Sequence, residues 1–379
     1  MVIKYITNVR LPTPRAQGYA IMKMCSEFAN LGATVELFVP SRENTGIAKD
    51  PFDFYSIQKN FEIKRVSSSD FLGQTTKLSR VLYWVDIVVF FLCARFKIKF
   101  NKGDVLFTRD PAAMLFFPKK IFSCLHIISI PESRTILKYI LHKPNLFFAL
   151  NDGIKKELMK MGVPESKVFI SGSGVEPKDF DIDFSTDEAR DKLDLPKDKK
   201  IVLYSGQFYR WKGVDTLAQV AKLLPEINFV FVGGTDSDLE QFKEKYANLA
   251  NIIIRPFQER AIIPVYLRSA DILAIPNSAN TNESVYYTSP IKLFEFMAAK
   301  KPILVSNLPS MRETLDETSA VFAEPDQPES FAAAIRKILA DEGLANRIVI
   351  NAYQKSLESS WTKRAEGVLN AIKNNYVNG

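Results

Sequence analysis

Twice along this chain, short apolar runs alternate with longer stretches whose apolar residues recur at helical spacing, and a parallel α/β sheet is the arrangement that satisfies such a pattern. The first cycle opens on an apolar run, Val2–Thr7, followed by a loop with Pro12, Pro14 and Gly18. Ile21, Met24, Cys25 and Phe28 then fall at i, i+3, i+4 and i+7, and Gly32 is placed to end that helix before a strand at Val35–Val39. Further strands are read at Asp104–Thr108, Leu125–Ile130, Leu146–Leu150 and Val168–Ser171. After residue 200 the alternation restarts, with strands at Ile201–Tyr204, Phe229–Val232, Ile252–Arg255, Asp271–Ile275, Pro302–Val305 and Ala320–Phe322. Helices are read between them around Leu217–Leu224, Leu239–Tyr246, Pro290–Ala299 and Ser330–Leu339.

Between the two cycles, Glu176–Lys200 holds 15 charged residues among 25, with Pro177 and Pro196 as breakers, which reads as a linker carrying one short helix. The expected organisation is therefore a first Rossmann-like domain over 1–175, a linker over 176–200 and a second over 201–360. Two doubly wound sheets facing each other make a cleft, and ligands of such sheets sit at the carboxyl ends of the strands.

Composition excludes several classes. At 46% hydrophobic and 25% charged residues the chain is an ordinary globular one, neither disordered nor fibrous. Met1–Arg10 reads as a strand rather than a secretory signal, so a cytoplasmic protein is expected. Cys25, Cys93 and Cys124 stand in apolar company at no metal-like spacing, which favours buried thiols. Net charge is unevenly spread, +11 over residues 1–175 and −4 over 176–379. The basic half is the candidate surface for an anionic partner. No zinc-finger spacing or RNP-like strand supports nucleic acid. Ile87–Ala94 is too short to span a bilayer, but it runs into Arg95, Lys97, Lys99 and Lys102 interleaved with Phe96, Ile98 and Phe100. That composition suits peripheral contact with an anionic membrane face; the alternative, which the short run favours, is a buried helix with a solvated basic tail.

Two segments carry chemistry. Gly206-Gln207-Phe208-Tyr209-Arg210-Trp211-Lys212-Gly213 follows a strand and precedes a helix, so Arg210 and Lys212 stand beside a helix N-terminus where an anion such as a diphosphate is favoured. The alternative is a solvated basic turn before a helix capped by Asp215. In Tyr287–Met297, Ser289 before Pro290 reads as an N-cap with proline at the first helical position. Glu295 lies a turn and a half further on, and its carboxylate can accept two hydrogen bonds from a vicinal diol such as ribose. The alternative for Glu295 is an ion pair with Lys292 on a solvated face.

In these segments the chain resembles glycosyltransferase family 4 of the two-domain GT-B architecture, in the glycosyl transferases group 1. The resemblance runs through Ser205-Gly206 to Asp215, Phe231-Val232-Gly233-Gly234, Ala270-Asp271-Ile272 with Pro276, Ser289-Pro290 to Ala298, Lys301-Pro302-Ile303, and Gly174-Val175-Glu176 to Phe180. It implies a retaining transfer of a sugar from a nucleotide-diphosphate sugar to a glycan or lipid-linked glycan acceptor, in surface polysaccharide or glycoconjugate synthesis at the inner membrane face. No cofactor or metal is implied beyond the co-substrate. Lys212 is then a diphosphate contact, Glu295 a ribose contact and Arg210 a second cation. Backbone groups around Thr288, Ser289, Pro290 and Ile291 meet phosphate or sugar oxygens, and the base lies near Pro256 and Phe257. The resemblance also places Gly18 in a loop near the donor and packs the last helix, 361–379, back on the first domain.

Two departures stand out. Tyr287 occupies the place of the family's sugar-holding glutamate, eight residues before Glu295, and Gln207 stands where an arginine is usual. His126, inside an apolar run, reads as a core residue, and no catalytic base is named. Two other classes remain open: a non-catalytic glycan-binding or scaffold protein on the same fold, and a nicotinamide-dependent oxidoreductase. The latter is disfavoured because no Gly-x-Gly-x-x-Gly follows a strand.

Overall fold

The computed structural model describes residues 1–42, 49–69, 79–130, 135–234 and 236–376. Two compact units divide the chain: Met1–Gly172 with the segment from Trp361, and Ser173–Ser360. Each is built on one sheet of parallel strands covered by helices.

In the first unit the strands are β1 (Val2–Ile6), β2 (Thr34–Pro40), β3 (Glu62–Val66), β4 (Asp104–Thr108), β5 (Ser123–Ile127), β6 (Leu146–Ala149) and β7 (Val168–Ile170), in the order β3-β2-β1-β4-β5-β6-β7. β3 escapes the hydrophobic pattern because it is an edge strand of sequence Glu-Ile-Lys-Arg-Val, and Lys64 spans to Glu36 of β2 and to Glu62. Charge on an edge strand discourages pairing with another chain. β5 begins two residues before the expected Leu125, because Ser123 pairs with Leu106 of β4 and its N–H is held by Asn145 Oδ1 at 2.9 Å. Pro131 and Glu132, which follow it, lie outside the described residues.

Helix α1 (Ala16–Asn30) buries Ile21, Met24, Cys25 and Phe28 and ends before Gly32, whose φ of +85° suits glycine. Helix α2 (Ser79–Lys97) buries Ile87, Phe90, Phe91 and Ala94 but leaves Trp84, Val88, Leu92 and Phe96 exposed. The apolar run is therefore split between core and surface. No helix among the described residues is long and apolar enough to cross a membrane.

The second unit takes in the charged stretch read as a linker. Helix α3 (Thr186–Leu193) starts at a capping box in which Ser185 and Glu188 satisfy each other's backbone N–H groups. Its buried Arg190 donates to Asp271 Oδ2 at 2.6 Å and to the Ser269 carbonyl at 2.9 Å, which ties the helix to the sheet. The strands are β8 (Ile201–Gly206), β9 (Asn228–Gly233), β10 (Ile252–Arg255), β11 (Ile272–Ile275), β12 (Ile303–Ser306) and β13 (Val321–Ala323), in the order β10-β9-β8-β11-β12-β13. Helices α4 (Val214–Leu223) and α5 (Ile291–Ala298) follow β8 and β11.

The chain then returns to the first unit in α6 (Trp361–Tyr376), while residues 377–379 of the expected final helix lie outside the described residues. Trp361 is fully buried with its ring 5.9 Å from that of Tyr19, and Thr362 donates to Glu27 of α1 at 3.0 Å. In each sheet the strand order reverses once, between β1 and β4 and between β8 and β11. Open α/β sheets bind ligands at such reversals, beyond the carboxyl ends of the strands.

Candidate functional site

β8 delivers its last residue, Gly206, to the reversal point with φ of +142°. A Cβ there would lie 2.5 Å from Lys292 Nζ and 2.9 Å from its Cε, so the glycine makes room for that lysine. The turn beyond is pinned where the Tyr204 hydroxyl donates to the Gln207 carbonyl at 2.5 Å. Arg210–Lys212 forms a single 3-10 turn, and Gly213, φ +68°, opens α4. A side chain at Gly213 would run into the Pro276 carbonyl just after β11. The backbone of Ser278 bonds the Trp211 carbonyl at 2.9 Å, so the ends of β8 and β11 are laced together. Asp215 does not cap α4. Gly213 holds that place, and the Asp215 carboxylate accepts from Lys245 and Tyr246, each at 2.7 Å.

Lys212 Nζ sits 3.6 Å from the centre of the Trp211 ring. Burial pushes its pKa down to about 7, and the charge of Glu283 offsets this in part. Arg210 is exposed and lends its charge to Asp215. A second cation at this end of the sheet is Lys292, which the alternative reading of Glu295 set on a solvated face. Its Nζ is buried, lies 3.8 Å from the Tyr204 ring centre and has no hydrogen-bond partner among the described residues. Burial holds its pKa well below the usual lysine range, and the charge of Lys212 adds to that effect. The charge of Lys212 thus disfavours that of Lys292, an arrangement that favours binding of an anion.

α5 begins one residue later than expected. Pro290, at φ −70° and ψ 132°, occupies the N-cap position, and no side chain caps the helix. Ser289 uses its carbonyl to accept from Ser173 Oγ at 2.6 Å. Tyr287, buried, closes a π-helical turn, Glu283–Tyr287, and Thr288 behind it is buried as well. The pattern gave no sign of this turn, which carries Glu283 to Lys212. Burial raises the Glu283 pKa while Lys212 opposes the rise.

Glu295 is mostly buried, and its partner is Arg260 rather than Lys292, with Nη1 to Oε1 at 2.7 Å. Arg260 stands four residues after Pro256, so this bond draws the exposed Pro256 and Phe257 loop towards α5. The structure thus gathers Gly206, Gln207, Lys212, the Thr288–Ile291 segment and Glu295 around one sheet end. Gly18 lies in the other unit, and its missing side chain has a packing cause: a Cβ would strike the Tyr55 hydroxyl, which donates to the Thr13 carbonyl at 2.8 Å. Lys292 was legible only as a lysine three residues before a glutamate on a helix, a spacing that cannot tell a solvated amine from a buried one. Among the described residues no group of three or more His, Cys, Asp or Glu is arranged to hold a metal ion.

Residues 185–355 match the family described as glycosyl transferases group 1. Among characterised sequences, the putative teichuronic acid biosynthesis glycosyltransferase TuaH of Bacillus subtilis is 27% identical over 207 residues, 54% of this chain and 51% of that one. The chain spans about half the length of the curated relatives it matches, 58% and 43% in two others. Among solved structures, sucrose-phosphate synthase of Thermosynechococcus elongatus superposes with a TM-score of 0.77 at 18% identity, covering 100% of both chains. HepE of Anabaena, solved in complex with UDP and glucose, gives 0.73 at 16% identity over 98% of this chain and 99% of its own. These likenesses show the fold, two parallel-sheet Rossmann-like domains of the GT-B kind. On this fold, residues 185–355 are similar to the glycosyl transferases group 1 family.

Proposed function

We propose that this protein is a retaining glycosyltransferase of family 4, moving a hexosyl group from a nucleotide-diphosphate sugar to a glycan or lipid-linked glycan in surface polysaccharide synthesis. The observation that carries the reading is a pair of amines, the half-buried Lys212 and the buried Nζ of Lys292, near the starts of α4 and α5 at the switch point of the second sheet. Sugar transfer passes through a cationic sugar while a diphosphate departs with growing negative charge. Amines and helix N–H groups placed in advance stabilise that charge without having to reorganise. Glu295, with one oxygen held by Arg260, keeps its carboxylate oriented for the ribose diol, and the Phe257 loop stands beside it for the base. The sugar-transferring relatives and the UDP-bound structural neighbour support the same substrate class.

Among uridine, guanosine and adenosine diphosphate sugars, one is expected to raise the melting temperature and to be hydrolysed or transferred. Lys212→Ala and Glu295→Ala should abolish that turnover; retention of full activity by both variants overturns the assignment. Activity is also expected to survive excess EDTA. Loss that manganese restores would show instead that a metal carries the diphosphate charge. The exposed stripe of α2 with its basic end supports peripheral membrane contact at the cytoplasmic face.

A further inference from the structure

At the switch point of the first sheet stands a set of hydrogen-bond donors that the chain itself does not satisfy. Arg109 follows β4, and the pairing of Thr108 with Leu125 brings it beside His126 of β5, whose Nδ1 accepts from Arg109 Nε at 3.2 Å. Arg364, in the first turn of α6, donates from Nε to Ser171 Oγ at 3.0 Å and brings Nη2 within 3.5 Å of His126 Nε2. Its guanidinium lies 4.9 Å from the Trp361 ring centre. Both arginines are half-buried, and among the described residues neither makes an ion pair with a carboxylate.

Asp110 feels the charge of Arg109 but forms no ion pair with either arginine among the described residues. Asp110, next to Arg109, has Oδ2 committed to the Asn8 N–H at 3.0 Å and bonds the Thr7 side chain, and burial raises its pKa. His126 is 1% exposed and bonds the Ser171 backbone besides Arg109; burial first, then the charges of Arg109 and Arg364, hold its pKa well below the ordinary histidine value. The imidazole therefore stays neutral. Tyr5, near the carboxyl end of β1, is fully buried; its hydroxyl has no hydrogen-bond partner among the described residues and lies within the fields of both arginines and of Asp110 and Cys25. The indole N–H of Trp361, on which Arg364 rests, is also buried without a partner among the described residues.

Like charges held together in a low dielectric, beside an unsatisfied buried hydroxyl, cost free energy unless an acceptor joins them. Guanidinium forks match the geometry of phosphate and carboxylate oxygens. We propose that Arg109, Arg364 and the Tyr5 hydroxyl form an oxyanion-binding site in the first unit, one that takes the phosphate or carboxylate of a negatively charged acceptor. The acceptor role rests on the transfer reading above; the anion site does not.

With only two histidines in the chain, His126 is its own reporter, and His142→Gln assigns its ring signals. In a two-dimensional ¹H–¹⁵N spectrum of histidine-labelled protein, inorganic phosphate, pyrophosphate and glucuronate are titrated against glucose and against sodium chloride at matched ionic strength. A saturable shift of the His126 ring with a phosphate or with glucuronate, and none with the controls, is expected, and the responding anion tells a phosphorylated acceptor from a uronic one. Arg364→Met should weaken this response by about tenfold or more, as loss of a charge-assisted contact does. Tyr5→Phe, which removes only a hydroxyl, should weaken it several-fold and covers the case in which the arginine variant fails to fold. An indifferent His126, or equal responses in wild type and both variants, overturns the site. Donor turnover without an anion response leaves the transfer reading standing and removes this site, whereas an anion response without donor turnover keeps the site and removes its acceptor role.

Discussion

Lys212 and Lys292 are chemically the same residue in neighbouring dry settings, and their proximity makes pH a direct probe of the donor site. Lys212 in the ligand-free protein has a pKa near 7, below the ordinary value of 10.5, because burial disfavours its charge. A bound diphosphate raises that value, so binding takes up a proton above pH 7. Nucleoside diphosphate affinity is therefore expected to fall as pH rises from roughly 7 to 9, and Lys212→Met should flatten the dependence, as read by titration calorimetry in buffers of differing ionisation enthalpy. The ligand-free fold responds in the opposite sense. Its lysine loses the proton before the unfolded chain does, so stability attributable to Lys212 increases as pH rises from about 7 towards the usual lysine range. Residue identity alone was legible for Lys212, since a lysine at a strand-to-helix turn is visible in the sequence. The dryness of its surroundings was not, because Glu283 and Lys292 reach Lys212 only in the fold.

Among the elements, the stretch over 176–200 shows how composition misleads. Fifteen charges in 25 residues suggest a solvated connector. Yet α3 buries Ala189, packs Leu193 against the core and uses Arg190 to bind the sheet through Asp271 and the Ser269 carbonyl. Arg190→Met leaves Asp271 with Lys200 at 3.2 Å as its remaining ion-pair partner and breaks the backbone bond, so a loss of about 3 kcal/mol is expected. Urea unfolding of the second unit should show the lower midpoint with an unchanged slope; a change below about 0.5 kcal/mol would mean that the helix contributes nothing to that unit's fold. Helix α2 presents the complementary lesson. Its eight-residue apolar run reads either as a membrane-facing stretch or as a buried helix, and the helical period divides it, turning Val88 and Leu92 outward in line with Trp84 and Phe96.

For the whole molecule, the positive excess of the first half and the exposed stripe of α2 belong to the same unit. Phe96, 82% exposed between Arg95 and Lys97, combines an apolar insert with flanking cations. Co-sedimentation with vesicles rich in anionic lipid is expected, weakened at high salt and by the pair Trp84→Ser and Phe96→Ser, with little binding to zwitterionic vesicles. Equal binding to both vesicle types, or none to either, would remove the membrane from the functional reading.

Periodicity and turn chemistry by themselves determined the two cycles of strand and helix, the parallel sheets they require and the strand ends where Lys212 and Glu295 stand. These are local properties: an apolar repeat, a glycine that tolerates positive φ and a proline before a helix act within a few residues of themselves. Only the tertiary structure decided which partner each charge has. It gave Glu295 to Arg260, buried Lys292 against Tyr204, and set Arg109 and Arg364 together about His126, although 255 residues separate them in number. Burial and electrostatic pairing depend on what the rest of the chain brings within a few ångströms, and no spacing along the sequence encodes that distance.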